Sequence, residues 1–187
     1  MLIPKEQRFW PHSKGDFHKL CGSGPVDRTL PVIVVTREDL ITPLGKETLL
    51  NAARGRYKDW STIDYPFQNP TLGDVLVNRV GWRHITRQGR LQERIFQSLG
   101  LIGVAKRMIS EIEAVDMLGR ATIKTSGSGL NVITDHLGLR ATIIFPHRHQ
   151  SVVQIVLKRE RKLSKEYSSP PEQKIWFLSI YELRRGV

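Results

Sequence analysis

At 187 residues, 40% hydrophobic and 25% charged, the chain has the make-up of an ordinary globular fold, with room for one domain and an elaborated terminus. Its 29 Lys and Arg against 18 Asp and Glu leave a net charge of +11, which points to a polyanionic partner, because basic side chains gain free energy by releasing counterions from phosphates. The single cysteine, Cys21, excludes an intrachain disulfide or cysteine-zinc cluster and suits a reducing compartment. No apolar run approaches the roughly 20 residues needed to span a bilayer, and the opening MLIPKEQRFW lacks the apolar stretch of a signal peptide, so the expectation is a cytoplasmic protein without membrane association.

Residues 1–31 scatter four prolines, three glycines and charges without a period, which reads as an irregular arm. The β-branched run at residues 31–36 predicts a short strand, and Thr36 before Arg37-Glu38-Asp39-Leu40 predicts a capped helix start. A second short helix is expected within residues 45–58, where Leu49, Leu50 and Ala53 share one side. Tyr57, Trp60, Tyr65 and Phe67 lie in a stretch broken by Pro66 and Pro70 and predict an aromatic loop packed on the domain. These parts, residues 1–70, form an arm with an accessory strand and helices ahead of the main domain, residues 71–187.

In residues 74–80, Val75 and Val77 alternate with Leu76 and Asn78 as in a strand, before Gly81 interrupts. From Gly89, Leu91, Ile95, Leu99, Ile102, Ala105, Ile109 and Ile112 recur at helical spacing. Gly100 and Gly103 each cost about 1 kcal/mol against Ala in a helix, which predicts two helices meeting near Gly100. Residues 121–125, 132–135, 139–145, 152–159 and 174–183 are strand-like. Turns are expected at Ser126-Gly127-Ser128-Gly129, at Leu137-Gly138, at residues 146–150 and at residues 164–173. Short connections favour antiparallel pairing. Helices followed by a meander make an α+β fold, with helices packed on an antiparallel sheet that forms the C-terminal half.

The candidate site centres on the junction after the predicted strand, where Trp82, Arg83, His84, Arg87 and Arg90 lie close in sequence. RNA is cut without a metal when one group removes the 2′-hydroxyl proton, another protonates the leaving oxygen, and cations stabilise the phosphate. Histidine suits the proton transfers and arginine the phosphate. His147-Arg148-His149 is a second histidine source, a basic turn that touches phosphate or serves acid-base chemistry. A zinc site there needs a further ligand, and no HExxH spacing supplies one. Glu111, Glu113 and Asp116 read as a solvated face rather than a two-metal centre. The expectation is therefore no metal and no cofactor. In Ile175-Trp176-Phe177-Leu178-Ser179-Ile180-Tyr181, strict alternation sets Ile175, Phe177, Ser179 and Tyr181 on one face and Trp176, Leu178 and Ile180 on the other.

The order of these pieces, the pair His84-Ile85, the helix RLQERIFQSLGLIGVAKRMI, a run of antiparallel strands and the late strand WFLSIYE, resembles the metal-independent ribonuclease superfamily that unites barnase, EndoU, colicin-type tRNases and RelE-like toxins, particularly its phage-associated branch. The resemblance covers residues 72–185. It implies helices on an antiparallel sheet whose concave face cuts RNA to a 2′,3′-cyclic phosphate, with His84 in the place of the early histidine and Ser179 in that of the late-strand serine or threonine. It also implies a basic residue from the intervening strands, for which Lys124, Arg140 and Arg148 are candidates.

The reading is a metal-independent endoribonuclease, toxin-like or phage-encoded, with His84 as general base or acid, Arg87 as a phosphate ligand and Ser179 orienting the phosphate or water. Trp82, Arg83, Arg90, Lys124, Arg140, His147, Arg148 and His149 are expected to bind the nucleic acid. The expected partners are RNA, tRNA among its candidates, and an inhibitor or antitoxin protein. The alternative is a nucleic-acid-binding or phage accessory protein without catalysis, using the same basic surface.

Overall fold

A computed structural model describes residues 29–44, 47–62, 66–125, 131–163 and 172–183. Cys21, Tyr65, the Ser126-Gly129 turn and most of the arm and of the 164–173 connection lie outside these. The described elements, in chain order, are β1 (Val32–Val34), α1 (Leu49–Trp60), β2 (Phe67–Asn69), β3 (Gly73–Val75), α2 (Arg79–Ile85), α3 (Gln92–Gly100), α4 (Ile102–Glu111), β4 (Asp116–Thr125), β5 (Asn131–Ile144), β6 (Ser151–Leu163) and β7 (Glu172–Glu182). The fold is α+β, as expected, and the long helical pattern divides at Gly100 into α3 and α4.

Strands β5, β6 and β7 form the antiparallel centre of the sheet. The other edge of β5 is shared by β4, which pairs antiparallel along residues 131–138, and β1, which pairs parallel with residues 142–144. The parallel β1 makes the sheet mixed rather than a pure meander. One sheet face is apolar: Leu137, Leu139, Ala141, Ile143, Ile155, Leu157, Phe177 and Ile180 are buried together with Ile102, Val104, Met108 and Ile109. Each fully buried side chain of this size contributes about 1.5–3 kcal/mol. Ile33, Val35, Ala53, Tyr57, Trp60 and Phe67 belong to the same core, so the elements between residues 32 and 69 are built into the fold that the later strands complete.

Several sequence expectations change for physical reasons. Residues 79–85 are helical rather than the end of a strand. The Asn78 side chain caps α2 by accepting from the Val80 N–H at 2.8 Å, and Gly81 lets the helix lie directly on β7, since a Cβ there would stand 2.5 Å from the Phe177 carbonyl. Residues 37–40 form a turn, with the Thr36 N–H donating to Asp39 Oδ2 at 2.8 Å. Tyr57 and Trp60 sit on α1, where their rings meet Trp82, Phe67 and Phe177. Leu137-Gly138 is no turn, because β5 runs straight through it, and Leu118 of β4 packs over the space a side chain at Gly138 would take.

The most consequential change is in β7. Val156 pairs with Ser179 but Leu157 pairs with Phe177, so Leu178 is an extra residue and the alternation reverses across it. Ile175 and Phe177 turn into the core, while Ser179 and Tyr181 join Trp176 on the opposite face. The outer edge of β7 is closed by three different groups. Leu76 exchanges backbone hydrogen bonds with Ile175 and Phe177, the Ser98 hydroxyl donates to the Ile180 carbonyl at 2.6 Å, and Arg94 Nη1 donates to the Glu182 carbonyl at 3.5 Å. Unpaired edge groups are thereby satisfied, and the α2–α3 connection is fixed beside Ser179.

Candidate active site

The face of the sheet opposite the core is polar, and strand register arranges it in rows. Arg140, Gln154 and Tyr181 form one row, Gly138, Val156 and Ser179 the next, and His136, Lys158 and Trp176 the third. Neighbouring rows are about 7 Å apart, two residues along a strand. The first row is hydrogen-bonded across all three strands: Arg140 Nε donates to Gln154 Oε1 at 2.9 Å, and Gln154 Nε2 donates to the Tyr181 hydroxyl oxygen at 2.9 Å. Gln154 is 1% exposed, so these bonds satisfy an amide that would otherwise be costly to bury. The middle row has only glycine and valine beside Ser179, and Leu118 of β4 packs over the glycine.

Arg90 reaches this face from the α2–α3 connection. Gly89, at φ 81°, adopts the left-handed conformation that turns the chain back. Arg90 Nη1 then donates to the Ile85 carbonyl at 3.0 Å, and Nη2 donates to Ser98 Oγ at 3.0 Å and to Ser179 Oγ at 3.5 Å. Burial, Arg87 and Arg94 lower its pKa to about 10 against the opposing effect of Tyr181, which still leaves it cationic at neutral pH. His84, on the last turn of α2, has its pKa lowered to about 4 by burial first, then by the charges of Arg87, Arg90 and His136. His136 is likewise lowered, by burial and by Lys158, with Asp135 opposing. Both imidazoles are therefore neutral near pH 7.

Arg90 touches Ser179, and its charge also bears on His84. Arg87 is exposed and acts on His84 through its charge, whereas Arg90 is the arginine that touches Ser179. Of the three strand cations, Arg140 stands one row from Ser179, and Lys124 lies near the far end of β4, paired with Val132. Arg148 lies in the β5–β6 turn, where it pairs with Glu182 and covers the Phe145 ring at 3.5 Å. His147 in the same turn accepts from Arg37 Nε at 2.9 Å, and His149 is exposed there. Through Arg148 this turn is held against β7 at Glu182. Trp82 packs its ring 5.3 Å from that of Tyr57 and serves the core, and Arg83 is exposed on α2.

The sequence reading left His136, Gln154 and Lys158 out of the site. Their signal was available: His136 and Arg140, and Gln154 and Lys158, each recur four residues apart inside otherwise apolar strands, the spacing of one sheet face. Among the described residues no group of three or more His, Cys, Asp or Glu is gathered to hold a metal ion, and no helix is long and apolar enough to cross a membrane. No protein-family model, no curated protein and no solved structure matches this chain.

Proposed function

We propose that the polar face cuts RNA by metal-independent transesterification, with His84 as general base, Arg90 and Ser179 as the phosphate clamp, and Tyr181 as proton donor. The observation that supports this reading is the order of rows on the sheet: those of His136 and Tyr181 flank that of Ser179, His84 is within reach of the charges of His136 and Arg90, and Arg90 touches Ser179. An in-line displacement at phosphorus needs a base and an acid on opposite sides of the phosphate.

In this mechanism neutral His84 takes the proton of the 2′-hydroxyl as its oxygen forms a bond to phosphorus. The charge that builds on the non-bridging oxygens is met by the Arg90 guanidinium and the Ser179 hydroxyl, and Arg140 adds a further cation. The bond from phosphorus to the 5′-oxygen breaks, and that oxygen receives the proton of Tyr181, whose own oxygen is steadied by Gln154. The products are a 2′,3′-cyclic phosphate and a free 5′-hydroxyl. Burial and the charges of Arg87 and Arg90 keep His84 neutral and ready to accept a proton. The anionic phosphate, once bound, offsets the neighbouring arginines and stabilises the imidazolium that forms.

The test is incubation of the full chain, wild type and His84→Ala, with total RNA and bulk tRNA in excess EDTA, followed by analysis of fragment ends. Cleavage by wild type alone, leaving cyclic phosphate, is the expected result. Intact RNA with both proteins would replace catalysis by simple binding to the basic face, and equal cleavage by both would remove His84 from the chemistry.

A further inference from the structure

A cleft of about 320 Å³ opens at the end of β7, between α3 and the β5–β6 turn, lined by Leu40, Ile41, Phe96, Leu101, Arg148 and Glu182 among others. That size falls at the lower end of small-molecule sites, which run from about 300 to 1,000 Å³. One of its walls is unusual: the Arg148 guanidinium carbon stands over the Phe145 ring, 3.5 Å from its centroid, and Nη2 is paired with the Glu182 carboxylate. The pairing neutralises much of its charge and fixes its plane, while 46% of the side chain stays exposed. Phe96, another lining residue, is 53% exposed, unusual for a phenyl ring on a helix whose neighbours Ser98 and Leu99 are buried. A fixed guanidinium plane, an exposed aromatic ring and apolar walls are the components with which proteins stack an unpaired nucleobase.

The cleft lies on the other side of the sheet from Ser179 and Tyr181, because Glu182 pairs with the buried Val153. Glu182 follows Tyr181 directly, three residues or about 10 Å along β7 from Ser179. Arg94 bridges the two places, with its guanidinium 6.0 Å from the Tyr181 ring centroid and Nη1 donating to both the Glu182 carbonyl and Gln97 Oε1. Gln97 lines the cleft and presents an amide to the edge of a bound base.

We infer that this cleft holds one nucleobase of a single-stranded RNA, stacked against the Arg148 guanidinium and Phe96, with the strand passing over the β7 edge at Arg94 toward Arg90 and Ser179. The inference rests on the ribonuclease reading for its substrate, but base stacking is measurable without cleavage. It assigns to Arg148 a planar role in place of the phosphate contact expected of it.

The experiment uses full-length His84→Ala, so that RNA stays intact, and a set of short single-stranded RNAs each carrying one 2-aminopurine at a different position. Binding should quench the fluorophore strongly at one position only. Phe96→Ala and Arg148→Lys, the latter keeping the charge but losing the plane, should restore its fluorescence and weaken binding about 10-fold. Both residues are exposed, and unchanged thermal melting would confirm that the variants fold. Uniform quenching at all positions, or quenching that survives both variants, would overturn the assignment. If wild type proves unable to cut RNA yet position-specific quenching persists, the cleft stands as a base-binding site and the cleavage reading alone falls.

Discussion

His84 should titrate far below an ordinary histidine in the folded chain. Its pKa of about 4, against the usual 6.5, comes from burial and from Arg87, Arg90 and His136. The imidazolium is thus disfavoured by at most about 3 kcal/mol, and solvent reaching the ring brings the measurable part nearer ~1–2 kcal/mol. Because the folded-state pKa lies below the unfolded one, the unfolded chain takes up a proton first as pH falls. Stability therefore drops between about pH 6.5 and pH 4 and levels off below, as far as this residue is concerned. Imidazole carbon-proton NMR signals, assigned with His84→Gln, give the titration directly, and urea unfolding at a series of pH values gives the linkage. His84→Gln should flatten part of the acid slope, the remainder belonging to His136 and other groups, and Arg87→Ala should move the His84 titration upward. A His84 pKa at or above 6.5, or a variant that keeps the whole slope, would refute the burial and charge argument.

Gly103→Ala should cost about 3 kcal/mol in urea unfolding, since its Cβ would fall 1.9 Å from the Asp39 carbonyl oxygen and backbone cannot yield as a flexible side chain does; a loss below about 0.5 kcal/mol would show that α4 and the 37–40 turn are not in contact. Asp135→Asn should cost about 3–5 kcal/mol, because the buried carboxylate accepts from Arg159 Nε and Nη2 and from Arg161 Nη2, each at 2.8 Å, and the amide would leave the guanidiniums uncompensated. Thermal melting would report that loss, and a neutral outcome would mean water already compensates the pair. Tyr181→Phe should lower RNA cleavage about 10²- to 10⁴-fold with little change in RNA affinity, and an unaltered rate would move the proton donor elsewhere.

The division of the long helical pattern and the α+β class were readable because each depends on local periodicity. Helix α2 was not, since its seven residues carry a glycine whose reason for being there, contact with the Phe177 carbonyl, is a tertiary fact. Strand β5 looked like two strands for the same kind of reason: Gly138 is a turn signal in sequence and a packing accommodation for Leu118 in space. The bulge at Leu178 is a property of register between strands, and no count of alternating residues within β7 reveals it. Yet Ser179 and Tyr181 fall on the same side of the bulge, so their shared face survived although the residues assigned to it with them did not. Arg90 is the arginine that touches Ser179 because the left-handed turn at Gly89 aims it back at the sheet, a direction that sequence neighbourhood does not specify.

The most direct test is a cycle of Arg90→Ala, Ser179→Ala and the double variant, with initial rates measured on one RNA that wild type cleaves in EDTA. Each single variant should lose about 10²- to 10³-fold, and the double variant should be little worse than Arg90→Ala, because the two groups act on the same phosphate as a unit. Near-wild-type rates in the single variants would contradict the account, as would losses that simply multiply in the double.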